Sequence, residues 1–320
     1  MYEERPPAPD LAARVACHWH QVSESSSTQL VVPDACVDLI WGPGGLFVAG
    51  PDTGPMPTEM AAGDVFVGVR FRPGAAADLF GVPLHTLRDQ RIHLSDLPPA
   101  ALLAPLTTLD PTALLTSSTT AHPAALHASV NRPDPAALPA SFTTNDAAAL
   151  SASFTTPHPR PALPTESAFS ANRTAPHLAA KHAALTAATR TLLTHLTTPA
   201  RSAAAARLTT AAAQLADPTA PFIARALRLG RSVSEVARDL GLSERQLHRR
   251  SLTAFGYAPK ILQRIVRFQR ALRLARAGVP LATVAAEAGY ADQAHLSHEV
   301  KRLSGVSLRT LAPPNRHPHP

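Results

Sequence analysis

Cysteine is nearly absent from this chain of 320 residues: only Cys17 and Cys36 occur. Two thiols cannot hold together a secreted scaffold of this size, which excludes a disulfide framework. Long hydrophobic runs are missing too. No apolar stretch approaches the ~20 residues of a membrane helix. The opening Met1-Tyr2-Glu3-Glu4-Arg5-Pro6-Pro7 has no basic-then-apolar leader pattern. These absences predict a soluble, cytoplasmic protein with no membrane partner. Metal-ligand pairs are also scarce. Cys17, His18, His20 and Cys36 invite a metal site, and Cys17-x-x-His20 comes near a ligand spacing, but the paired ligands of zinc modules are not there. No metal and no cofactor are expected. Asp34 and Asp38 fall on one face of a strand, where they border a pocket or turn.

Acidic residues are missing from one long stretch. Between Arg245 and Ala286 there are nine Lys and Arg and no Asp or Glu. The imbalance extends further: Pro218–Pro320 holds 17 Lys+Arg against 6 Asp+Glu, and the remainder 13 against 17. A basic segment joined to a mildly acidic one predicts one part that binds a polyanion and one part with another task. A solvated helix face normally mixes both signs, so an acid-free face predicts a phosphate-facing surface.

With 45% hydrophobic residues the chain can build two cores. Short apolar stretches at Gln29–Val32, Cys36–Trp41, Leu46–Val48 and Val65–Phe71 alternate with Gly, Pro and Asp. That pattern predicts a small antiparallel β structure, followed by a short helix over Ala75–Phe80. The fold class is α+β. A β-rich, barrel-like domain is expected at 1–100, and a low-complexity, largely disordered insertion at 101–176. Helices at 177–217 complete the N-terminal domain or link it onward. An all-α double helix-turn-helix domain follows at 218–312 and a loose tail at 313–320. The insertion is dominated by Ala, Thr, Pro and Ser and repeats Ala-Leu-x-Ala-Ser-Phe-Thr-Thr from Ala137 and from Ala149. Such a composition does not offset an ordering cost of about 1–2 kcal/mol per residue. Helices are expected from Leu178 to Leu196 and from Ser202 to Leu215.

A helix-turn-helix needs a small residue where two helices nearly touch, a Gly able to take positive φ, and an apolar anchor on the second helix. Ala237, Gly241 and Leu247 fill these roles, with Ser243 as N-cap and Gln246 three residues on. The set recurs. Val284-Ala285 repeats Val236-Ala237 and Gly289 repeats Gly241 at an offset of 48. Asp292, Leu296 and Gly305 repeat Ser243, Leu247 and Gly256 at 49. One extra turn residue accounts for the shift. Between the modules a helix over about Pro259–Ala277 presents Ile261, Ile265, Phe268, Leu272 and Ala275 as one apolar stripe.

Residues Arg231–Leu311 resemble the DNA-binding domain of AraC/XylS-type transcription regulators. The resemblance rests on Val236-Ala237-x-x-Leu240-Gly241-Leu242-Ser243 and on Val284-Ala285-x-x-Ala288-Gly289-Tyr290-x-Asp292-x-x-His295-Leu296-Ser297, followed by Lys301-Arg302-x-x-Gly305-x-Ser307. It covers about a quarter of the chain. Val32–Trp41 and Phe71-Arg72-Pro73-Gly74 are similar, more loosely, to the N-terminal sensor domains of actinobacterial regulators of this group, which implies a sensor or regulatory role for residues 1–100. The resemblance implies seven helices, with a recognition helix of each module in a major groove. It implies Arg245, His248, Arg249, Gln293, His295 and His298 as base-facing, and Gln246, Arg250, Ser297, Lys301 and Arg302 complete the expected DNA-binding set. Ser251 and Leu308 depart from the family's usual Phe and Pro, and Phe255 is expected to fill the space at Ser251. His298 stands where Arg is common. The partners implied are double-stranded DNA and RNA polymerase, with a small-molecule effector and a second copy of the chain as further candidates. No enzyme activity is expected. The alternative is a DNA-repair alkyl-transfer enzyme fused to such a domain, which would need a zinc-type cysteine set that two thiols cannot supply.

Overall fold

The computed structural model describes residues 1–97, 175–197 and 214–312. Nearly all of the expected insertion, most of the helix expected from Ser202, and the expected tail lie outside the described residues. Six antiparallel strands form the main sheet in the order β1-β2-β7-β4-β5-β8, from β1 (Tyr2–Arg5), β2 (Val15–Val22), β4 (Val37–Gly42), β5 (Gly45–Ala49), β7 (Val65–Phe71) and β8 (Arg91–His93). A second, two-stranded sheet pairs β3 (Ser27–Val31) with β6 (Met56–Met60). Strands β3, β4, β5 and β7 lie where the alternating apolar stretches predict. The short helix α1 covers Ala77–Phe80.

Period-two alternation divides the main sheet into two buried faces. Val37, Leu39 and Trp41 of β4 and Val67, Val69 and Phe71 of β7 face one core. Leu79 and Phe80 of α1 and Leu185 of helix α2 (Ala175–Thr197) cover it. Cys17, Trp19, Ile40 and Ala49 occupy the other face with Tyr2, Phe47 and Phe66.

Residues 218–312 contain seven helices, the number the resemblance implies. They are α3 (Ala220–Arg228), α4 (Val233–Asp239), α5 (Glu244–Phe255), α6 (Pro259–Arg276), α7 (Leu281–Ala288), α8 (Gln293–Ser304) and α9 (Leu308–Leu311). Their core is not closed on itself. Leu30, Val32 and Ala35 from the β-rich part belong to the same cluster as Ile223, Phe255, Tyr257, Ile265 and Phe268. Helix α6 is therefore buried on more than the single stripe read from the sequence, with Leu262, Val266, Gln269 and Ala271 also inside. Phe255 is fully buried, as expected, and Ser251 is satisfied by donating its hydroxyl to the Tyr257 carbonyl at 2.7 Å. No helix among the described residues is long and apolar enough to cross a membrane.

Candidate nucleic-acid interface

Each module is built from local chemistry. Ser232 caps α4, and Glu235 closes a reciprocal capping box. The chain then turns at Gly241, whose φ of 64° suits glycine. Leu242 returns its N–H to the Ala237 carbonyl at 2.9 Å. Ser243 accepts from the Gln246 N–H, and Gln246 Oε1 accepts from the Ser243 N–H at 2.8 Å. Leu247 anchors the second helix with no exposure. Module two repeats the plan. Gly289 turns at φ 79°, Tyr290 returns its N–H to Ala285 at 2.8 Å, Asp292 accepts from the His295 N–H at 2.7 Å, and Leu296 is the anchor.

The outward faces of α5 and α8 carry the expected residues. Arg245, Gln246, His248, Arg249 and Arg250 are exposed on α5, and Gln293, His295, Ser297, His298, Lys301 and Arg302 on α8. Among the described residues no ion pair engages Arg245, Arg249, Lys301 or Arg302. Arg250 differs. Its guanidinium reaches back 3.4 Å to Asp217 and to the Thr219 hydroxyl. Ser297 returns its hydroxyl to the Gln293 carbonyl at 2.8 Å.

The acid-free face of α6 does not simply present phosphate-binding groups. Arg264 donates to both carboxylate oxygens of buried Glu299 at 2.8 and 3.3 Å. Burial alone would raise the Glu299 pKa, but the hydrogen bonds and charge of Arg264 hold it below the usual range. Arg267 lies 4.6 Å over the Tyr290 ring and donates to the Gly289 carbonyl. These arginines brace module two, a correction to the phosphate-facing expectation. Their acidic and aromatic partners lie more than twenty residues along the chain.

Residues singled out in the β-rich part are separated or paired internally. Cys17 lies on one sheet face, while alternation turns His18 and His20 to the opposite one, beside His182 of α2. His20 Nδ1 and His182 Nε2 are 3.4 Å apart. Asp34 and Asp38 share one buried cation. Both engage buried Arg70, Asp38 through a fork of 3.0 and 3.1 Å and Asp34 at 3.5 Å. Burial raises the Asp34 carboxyl to about 6 even beside Arg70. No local motif marks the seam between the two parts. There Tyr257 donates its hydroxyl to the Asp52 carbonyl at 2.7 Å, and Gln269 donates to the Pro33 carbonyl at 2.6 Å.

Two helix-turn-helix units on one chain, with exposed basic recognition helices, define a DNA-binding protein. Residues 236–312 match the family described as "Helix-turn-helix domain", and this segment is a domain of the AraC type. The chain is a DNA-binding transcriptional regulator. Residues 3–93 match the family described as "Domain of unknown function (DUF6597)". No curated protein matches. Two solved structures of ToxT from Vibrio cholerae are similar at 8% and 7% identity, with TM-scores of 0.35 and 0.30. They cover 97% and 93% of this chain and 98% and 94% of theirs. The second is bound to (E)-4-(8-methylnaphthalen-1-yl)but-3-enoic acid.

Proposed function

We propose that one copy of this chain reads a single non-palindromic DNA site, with α5 and α8 in successive major grooves of one face. It then regulates a promoter by recruiting or blocking RNA polymerase. The observation that supports this reading is the pair of exposed recognition helices held by one unbroken helix, α6. Its 18 residues at ~1.5 Å each span roughly 27 Å, and the flanking turns extend this toward the ~34 Å of one DNA turn. Arg245, His248, Arg249, Gln293, His295 and His298 are base-facing in this reading, and Arg302 meets phosphate. Residues 1–100, with the segment 177–217, act as a sensor or assembly domain for a small-molecule effector or a second copy. Residues 218–312 are the reading domain. An alkyl-transfer activity is disfavoured by the chemistry of Cys36, whose thiol burial and the nearby Asp34 push well up, away from a reactive thiolate.

Binding to a selected site with altered half-site spacing tests the reading. Inserting about five base pairs turns one groove to the far side of the duplex, and inserting about ten stretches the spacing past the reach of α6. Both insertions should abolish the contribution of the second module. Tight binding to the ten-base-pair insertion would overturn the rigid single-chain reading in favour of a flexibly tethered dimer.

A further inference from the structure

Gln246 and His295 occupy the same place in the two modules, the third residue of the recognition helix, and they share a chemical condition. Gln246 carries an acceptor oxygen and a donor nitrogen, but the oxygen is consumed. It accepts from the Ser243 N–H at 2.8 Å and from the Ser243 hydroxyl at 3.0 Å. A backbone N–H can only donate, so this contact fixes which end of the amide points inward. The NH2 group is left to face outward.

His295 reaches the same condition by another route. Its Nδ1 accepts from the Ala291 N–H at 3.3 Å. A nitrogen that accepts from an amide carries no proton, so the neutral ring holds its proton on Nε2. The ring is also held in place. Its plane stands at 87° to the Tyr290 ring, with centroids 5.3 Å apart, and Tyr290 is backed by Arg267. Both residues are exposed on their recognition helices. Neither contact depends on the other module, so the donor-only condition has arisen twice in different residue types.

We propose that Gln246 and His295 are the matched specificity residues of the two modules, each a donor-only group that selects a hydrogen-bond acceptor on the major-groove edge. The acceptors available are purine N7, guanine O6 and thymine O4, and the amino groups of adenine and cytosine are refused. A residue with its acceptor free, as an unconstrained Gln has, would pair with adenine through both amide atoms. The capping box removes that option from Gln246. The assignment rests on the double-module reading above and names the base chemistry that reading leaves open.

The test uses the full chain and a duplex it selects from random DNA. At each position of the two half-sites one acceptor is deleted, with 7-deazapurines for N7, 2-aminopurine for O6 and 5-methylpyrimidin-2-one for O4. One deletion in each half-site should weaken binding about threefold to tenfold, the loss expected for a single hydrogen bond. Gln246→Glu keeps the capping oxygen and removes the donors, and His295→Phe keeps the ring against Tyr290 and removes both nitrogens. In Gln246→Glu the sensitive deletion of the first half-site should become silent while that of the second persists, and the reverse should hold in His295→Phe. Each variant should melt within a few degrees of the parent, which separates lost reading from lost folding. Deletions that stay equally costly in both variants would overturn the assignment and leave the double-module reading intact. Failure of the full chain to select any sequence would overturn both.

Discussion

The two helix-turn-helix modules share one plan of turn glycine, cap and anchor, yet they are mounted differently. Module one and α6 are joined to the β-rich part by a continuous core and by hydrogen bonds from Tyr257 to Asp52 and from Gln269 to Pro33. Module two hangs from α6, through the Arg264–Glu299 fork and the stacking of Arg267 on Tyr290. Among the described residues no hydrogen bond or ion pair runs from 281–312 to the β-rich part. Duplicated motifs therefore do not imply equivalent modules. Any change in the β-rich part meets module one and α6 through direct hydrogen bonds, whereas no hydrogen bond or ion pair among the described residues carries it to module two.

Loss of the apolar weld between the two parts should have the largest effect. Phe255 is fully buried, and its ring closes against the chain at Gly74. Phe255→Ala should cost about 3–5 kcal/mol. Because the core is shared, unfolding followed by helical and by β-sheet signals should shift together. Two separated transitions, with only the helical one moved, would mean that the parts are independent. Gly256 makes the same point through close approach: a Cβ there would sit 2.5 Å from Pro51 Cγ, and its φ is 79°. Gly256→Ala should add strain of about 1–3 kcal/mol to the same single transition.

This seam also marks where the sequence ceased to be legible. The turns at Gly241 and Gly289 and the caps at Ser243 and Asp292 are local chemistry, with every partner within a few residues, so spacing alone exposed them. The outward placement of the expected residues on α5 and α8 follows from the same register. Strand β2 was missed because Val15–Val22 is buried on both faces, which erases the alternation that marks a half-buried strand. Strand β6 was missed because Met56-Pro57-Thr58-Glu59-Met60 reads as a loop, and Pro57 is tolerated only in an edge position. With no acid near them in sequence, Arg264 and Arg267 look phosphate-facing. Glu299, thirty-five residues beyond Arg264, became their neighbour only through the fold. Leu30 and Val32 look like ordinary strand residues, and nothing local marks them as a docking surface for helices.

The brace of module two gives an intermediate effect with a pH signature. The depressed Glu299 carboxyl stabilises the fold above its unfolded pKa, and this contribution is lost as pH falls through the lower folded value. Arg264→Ala removes the fork and leaves a mostly buried carboxylate. The cost at pH 7 should be about 2 kcal/mol, less than the ~3–5 kcal/mol of a fully buried pair because Arg264 is partly solvated. Denaturant melts at neutral and at acid pH check the sign: the gap between parent and variant should narrow as the medium is acidified below pH ~4. A gap that stays constant or widens would mean that Glu299 is not the group whose charge Arg264 supports.

The smallest effect expected separates two adjacent arginines on α5. Arg249 is exposed and engages no carboxylate among the described residues. Arg250 is turned to Asp217 and Thr219 at the start of α3. Its pair is solvent-screened, so Arg250→Ala should change stability by no more than about 1 kcal/mol. Its effect on DNA binding should also be slight and uniform across sequences, since a guanidinium held against the start of α3 is poorly placed to read a base. Arg249→Ala should instead cost about 1–3 kcal/mol on the selected site and relax preference at one base pair. The salt dependence supplies an independent check, because a lost phosphate contact flattens the slope of log K against log salt by about one. A flattened slope for Arg250→Ala with unchanged base preference would place Arg250 on the DNA backbone, its contact with Asp217 exchanged on binding. Loss of preference in both variants alike would show that the α5 face reads DNA with neighbouring arginines together, and that the Asp217 contact does not restrain the second.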